Sequence, residues 1–250
     1  MNPDIIVFGP NGQIGAPGTP GSPASPDFTG DPPAQGGTCD KKGNCTCALS
    51  GTAGGPGNPG NYGIAGGQAP KAPTLCLIVG RLVSDLVIQT QGGAGGVGGA
   101  GGTGSGGGKG QDGGINAASC LKAGWWHDAA CQPTLGGIGG NAGRGMDGMP
   151  GGGGGDGGDI YIYYGEKQGV DPQGASYQVF GTSVPGEVGM GGAPGKAGNP
   201  GAGGMNEAVG NSPATQQPGG NTSIGGNWGP NGSPPGNPGI VSAQMLPSAS

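Results

Sequence analysis

The chain has 250 residues, of which 70 are glycine and 25 proline, and its formal net charge is −5. Only 9% of residues are charged and 4% aromatic, which excludes a basic nucleic-acid-binding surface and leaves too few large side chains for an ordinary apolar core. No apolar stretch approaches the ~20 residues that a membrane-spanning helix needs.

The first residues, Met1–Gly9, lack the charged and then apolar segments of a secretory signal. The expectation is either that a leader was removed and replaced or that the protein leaves its cell by another route, such as lysis. Ile5-Ile-Val-Phe8 is β-branched and aromatic, and predicts a strand over 4–8. From Gly9 onward glycine recurs at every third position, first over 9–21 and then over 51–66, 92–113, 136–157, 186–204 and 226–239. Ala142 takes one glycine place in the fourth run, and the sixth run slips by one residue between Gly232 and Gly236. A period of three belongs neither to an α-helix nor to a β-strand. It is the period of the extended polyproline-II helix, whose rise of about 3.1 Å per residue would stretch 92–113 over roughly 68 Å. One bare edge per turn lets a second backbone approach closely. Run three is mainly Gly-Gly-X and so has two bare edges, which suits a place among several neighbours.

Between the runs lie pieces rich in β-branched and aromatic residues, at 75–88, 159–164, 177–184 and 240–246. Segments 22–50 and 114–135 instead carry five of the six cysteines. Connections between neighbouring elements are short, so consecutive runs are expected to be antiparallel. The β-like pieces then fall at one end and the cysteine loops at the other. The expected fold is mostly non-α and non-β. It is a single elongated domain over 1–250, an antiparallel bundle of six polyglycine-II/polyproline-II helices with a small β module at one end and a disulfide-stapled cap at the other.

Cys39, Cys45, Cys47, Cys76, Cys120 and Cys131 point to disulfides in an oxidising, extracellular setting. Six cysteines permit fifteen pairings. A Cys120–Cys131 bond would close a ten-residue loop displaying Trp125, Trp126 and His127, the candidate binding residues of the cap. Cys45-Thr-Cys47 with Cys39, Cys120, Cys131 and His127 offers zinc-ligand chemistry, but the spacing is not that of a zinc site, and no metal or cofactor is expected. Tyr161, Tyr163 and Tyr164 alternate with isoleucines, which suits a half-buried strand with a subunit-contact face. G-x-G-x-x-G recurs too often here to mean nucleotide binding, no Walker motif follows Lys109 or Lys196, and carboxylates are sparse. No enzymatic activity is expected.

The runs at 92–113, 136–157 and 186–204 resemble two groups of proteins built from polyglycine-II helices. One is the receptor-binding adhesin of phage tail fibres; the other is the springtail antifreeze proteins. The first resemblance implies a phage virion component, such as a fibre, collar or adhesin, working with other subunits and touching a host surface receptor. The second implies an ice-binding face, for which Ala94, Val97, Ala100, Thr103 and Ser105 of run three are candidates. A self-assembling extracellular filament subunit, pairing by strand addition, is the third expectation. A homo-oligomer or a place in a larger assembly is expected.

Overall fold

The computed structural model describes residues 3–40, 44–121, 131–167, 176–209 and 212–246. The triplet spacing of glycine becomes a spacing of lateral hydrogen bonds. In run three, Gly92 donates its N–H to the carbonyl of Val184, just ahead of run five, and Gly95 and Gly98 donate to Glu187 and Met190 within it, at 2.8–2.9 Å. Gly96, Gly99 and Gly102 donate instead to Gly67, Ile64 and Asn61 of run two, also at 2.8–2.9 Å. The third residue of each triplet faces solvent.

The same rule holds along the chain. The first triplet position donates to the run two places later, lying parallel in the same layer. The second donates to the preceding run, lying antiparallel in the opposite layer. Runs one, three and five therefore form one layer, and runs two, four and six the other. Central runs three and four touch neighbours on both edges and need two bare positions. Edge runs need one, so they read Gly-X-Y and can hold proline where no N–H is required: Pro17, Pro56, Pro59, Pro194 and Pro200 all lie at such places.

Each layer passes directly into a parallel sheet. β1 (Ile5–Phe8), β5 (Leu86–Gln91) and β7 (Val179–Val184) lead into runs one, three and five and pair in the order β1-β5-β7. β4 (Leu75–Leu82), β6 (Ile160–Lys167) and β8 (Val241–Met245) follow runs two, four and six and pair in the order β4-β6-β8. Alternation turns one face of each sheet inward. Ile88, Ile160 and Ile162 are buried there, against Ile5, Leu75, Leu77, Leu86 and Val179. Thr90, also fully buried, donates its hydroxyl to Gly158 O at 2.6 Å, where strand gives way to run.

The expected antiparallel helix bundle is thus overturned. The described residues contain no helix; their regular secondary structure is eight β-strands in three sheets. Neighbours within each layer are parallel, and six of the strands extend the runs rather than forming a separate module. A three-residue period describes one chain's shape; it does not record that the chain is bonded sideways into layers. The piece at 75–88 is not one strand either: it turns between β4 and β5, in different sheets. The connection at 22–50 is shorter than expected, because Phe28, Ala34 and Gly37 still donate along run three, to Lys109, Asp112 and Ile115.

Outward N–H groups gain partners from Asn and Asp of the adjacent run. Asn11 Oδ1 accepts from Ala94 N–H, Asn141 from Asn221 and Asp147 from Asn227, at 2.7–3.1 Å. Asp27 accepts from Lys109 N–H at 2.9 Å and Asp112 from Met205 N–H at 2.9 Å. These backbone donors hold the carboxyls of Asp27 and Asp112 below the usual aspartate range, with help from the Thr29 hydroxyl at Asp27 and Lys109 at Asp112. Asp159 is lowered chiefly by its ion pair with Lys71 at 2.8 Å and then by Ile240 N–H; the same pair raises Lys71.

A methyl group at Gly99 would overlap the Ala16 carbonyl oxygen, whereas one at Gly106 comes no nearer than 3.4 Å to Asn199 O. Gly99→Ala is expected to destabilise the fold by about 3 kcal/mol, the upper range for overpacking. Gly106→Ala is expected to leave the melting temperature unchanged or raised. Equal effects in thermal melts would contradict the layer assignment. The lowered carboxyls add stability above the ordinary aspartate pKa of about 3.9, and lose it as pH falls through their lower folded-state values. The melting temperature should therefore drop below about pH 4. D27N/D112N keeps an amide oxygen as acceptor and should flatten that drop; an unchanged acid profile would count against this role.

Candidate functional site

Three regions bring chemistry together: the cap, the outer faces of the two layers, and the outer face of the sheet β4-β6-β8. At the cap, β2 (Thr38–Cys39) and β3 (Cys45–Thr46) pair as an antiparallel hairpin that places Cys39 opposite Cys45. The Asp40 carboxylate accepts from the N–H and the Nδ2 of Asn44 at 2.9 and 2.8 Å. Cys47 is bonded to Cys131, with Cα atoms 5.4 Å apart. Cys39 lies within bonding reach of both Cys45 and Cys120, with Cα separations of 4.1 and 6.4 Å. The Cys120–Cys131 bond that would have closed the ten-residue loop does not form. These two residues are joined instead by a backbone hydrogen bond, from Cys131 N–H to Cys120 O at 2.7 Å. Trp125, Trp126 and His127 lie outside the described residues.

Also at the cap, a buried polar cluster ties four chain segments together. Glu207 is only 8% exposed. Its carboxylate accepts from Asn116 N–H at 2.6 Å, Asn116 Nδ2 at 2.8 Å and Thr134 N–H at 3.0 Å. Asn116 Oδ1 in turn accepts from Ala48 N–H at 2.8 Å, and the Thr134 hydroxyl donates to Gly114 O at 2.6 Å. Losing such an acceptor would strand buried donors, each costing about 1–3 kcal/mol. Nothing in the triplet pattern marks Glu207, Asn116 or Thr134, since a lone carboxylate among small residues looks like any loop residue.

The two layers present different outer faces. On the layer of runs one, three and five, hydrogen bonds align Ile14 with Val97 and Val97 with Met190. These three apolar side chains are 77%, 41% and 66% exposed. One triplet further on stand Pro17, Ala100 and Ala193. Asn11 and Glu187 bound this uncharged patch toward the sheet end, and Lys196 bounds it toward the cap. An open cleft lies at the sheet-end boundary, between Phe8, Pro10, Gln91, Ala94 and Glu187. The opposite layer is mixed: Asn141, Asp147 and Asn227 are hydrogen-bonded across it, and Arg144 pairs with Asp147 at 3.7 Å. Ala94, Val97, Ala100 and Thr103 share the first face. Ser105 does not; its hydroxyl accepts from Asn58 N–H at 2.8 Å toward run two. Ile14 and Met190, which sequence reasoning missed, carry a usable signal: they occupy the solvent-facing triplet position of runs one and five.

Alternation along β6 places Tyr161 and Tyr163 on the outer face of its sheet and Tyr164 on the other. Cys76 is exposed and in register beside Tyr161, and Ile78 beside Tyr163 is 70% exposed. The three tyrosines therefore do not share one contact face. Among the described residues, Cys39, Cys45 and Cys120 are the one group with the ligand types and proximity for a metal ion.

No protein-family model matches the chain, and no curated protein matches it. Among solved structures there is a match to the nine polyproline type II helical bundle springtail antifreeze protein from Granisotoma rainieri. It is 24% identical and covers 72% of this chain and 94% of that one, with a TM-score of 0.16. Crystal waters on that protein match the ice lattice. A superposition this poor carries no argument about the present chain.

Proposed function

We propose that this chain is a non-enzymatic structural and attachment module of an extracellular particle, and specifically a phage virion component such as a fibre, collar or receptor-binding adhesin. The observation that carries this reading is the uncharged patch on the outer face of runs one, three and five. Ile14, Val97 and Met190 stand in line across three runs whose backbones are fixed by hydrogen bonds on every triplet. Exposed apolar side chains on a preorganised surface lose little freedom when a partner docks. The polar groups of the chain support the same reading, because Asp27, Asp112, Asp147 and Glu207 are occupied as acceptors for backbone N–H groups. The disulfides suit an oxidising compartment outside the cell.

A second reading, an ice-binding protein, draws on the same face. Ala94, Val97, Ala100 and Thr103 form one row of small side chains, flanked by the rows of runs one and five. Such a surface carries little charge to hold liquid water.

Antiserum against the purified protein should label extracellular particles in immunogold micrographs of the source culture. Particles carrying I14K/V97K/M190K should assemble but adsorb at least about tenfold less well, equivalent to about 1.4 kcal/mol. Labelling confined to the cytoplasm, or unchanged adsorption, would defeat the attachment reading. Thermal hysteresis in the purified protein, abolished by the same substitutions, would replace it with the ice-binding one.

A further inference from the structure

The cap holds five cysteines, and one of them is asked for twice. Cys47–Cys131 accounts for two. Cys39, Cys45 and Cys120 remain, with sulfur atoms all within 4.8 Å of one another. Cys39 is placed to bond either neighbour. A divalent sulfur forms only one disulfide, so one of the three must stay a thiol. Cys76 cannot take it up within the chain, because it lies on β4 at the sheet end.

We propose that Cys39, Cys45 and Cys120 form a thiol–disulfide exchange switch in which Cys39 alternates between two partners. In one state Cys39 is bonded to Cys120, and Cys45 is the thiol. Deprotonated Cys45 attacks the Cys39 sulfur; the Cys39–Cys45 bond forms, the Cys39–Cys120 bond breaks, and its electron pair leaves on Cys120. Cys120 then takes up a proton from solvent, replacing the one Cys45 lost. The step is reversible, consumes no oxidant or reductant, and leaves one disulfide and one thiol on either side. It follows the ordinary course of exchange, in which a thiolate displaces another through a shared sulfur.

The two states differ in what they bind together. Cys39–Cys120 spans 81 residues and fastens the β2–β3 hairpin to the end of run three. Cys39–Cys45 spans 6 residues and closes the hairpin on itself. Exchange therefore removes a long-range bolt from the cap while Cys47–Cys131, spanning 84 residues, stays in place. The exposures suit this direction of control. Cys120 is 1% exposed, whereas Cys39 and Cys45 are only partly buried. The long-range state thus leaves its free thiol where solvent can reach it, and the short-range state buries it.

The test is disulfide mapping of the intact oxidised chain. The protein is incubated at about pH 8, near the ordinary cysteine pKa, then quenched in acid, alkylated and digested without reductant. Both the Cys39–Cys45 and the Cys39–Cys120 peptides are expected from one preparation, with Cys47–Cys131 intact throughout. Protein first enriched in either linkage should return to the same ratio at about pH 8 and stay unchanged at about pH 5, where thiolate is scarce. C45S should give only Cys39–Cys120 and C120S only Cys39–Cys45, with C120S melting at the lower temperature. A single linkage in the wild-type chain that never redistributes would overturn the proposal. So would isolation with all three thiols free and a metal ion bound. The wild-type mapping decides the matter even if either serine variant fails to fold. The result is separable from the attachment reading, because adsorption through Ile14, Val97 and Met190 does not depend on it.

Discussion

Backbone hydrogen bonds between runs hold this protein together, and at most of the crowded triplet positions glycine is what lets the neighbouring backbone come close enough to form them. At Gly99 the space a methyl group would fill belongs to the Ala16 carbonyl oxygen; at Gly140 it belongs to that of Gly55. Each net bond is worth only about 1 kcal/mol, and glycine loses more backbone entropy on ordering than any other residue. The fold answers with regularity. In the central runs two of every three N–H groups donate laterally, and in run three Asn11 and Asp27 capture the third-position N–H groups of Ala94 and Lys109. Among the described residues the cluster of large buried apolar side chains, Ile88, Ile160 and Ile162, lies at the sheet end.

The places where two backbones meet were largely legible in the sequence, because close approach demands a small residue: glycine at nearly every such place and Ala142 at one. The difference between Gly-Gly-X in run three and Gly-X-Y at the edges also carried real information about neighbours. The layer structure was not legible. Nothing in a three-residue period says whether a partner lies parallel or antiparallel, and both occur here on different edges of the same run. A different signal was present but unused. Ile5-Ile-Val-Phe8, Leu86-Val-Ile88 and Val179-Phe180 stand in register as β1, β5 and β7. Their recurrence marks three copies of one unit: strand, run, cap segment, run, strand. Parallel pairing between equivalent strands follows from that repetition.

Cap chemistry was the least legible part. Cysteine positions could be read, but their pairing depends on a hairpin only a few residues long and on a carboxylate, Glu207, that no pattern singles out. The solvent-facing triplet positions lie between these extremes. On the layer of runs one, three and five some of them, such as Asn11 and Asp112, accept backbone N–H bonds, whereas no side-chain hydrogen bond constrains Ile14, Val97 and Met190. An uncharged, aligned set at Ile14, Val97 and Met190 is therefore a property of the surface and not a by-product of packing.

Amide hydrogen exchange read by NMR along run three tests the lateral bonding most directly. The first and second triplet positions, such as Gly95, Gly96, Gly98 and Gly99, should exchange slowly and together. Val97, Ala100 and Thr103 should exchange fast, while Ala94 should be slowed by Asn11 Oδ1. Uniformly fast exchange, or slow exchange without a three-residue rhythm, would contradict the account.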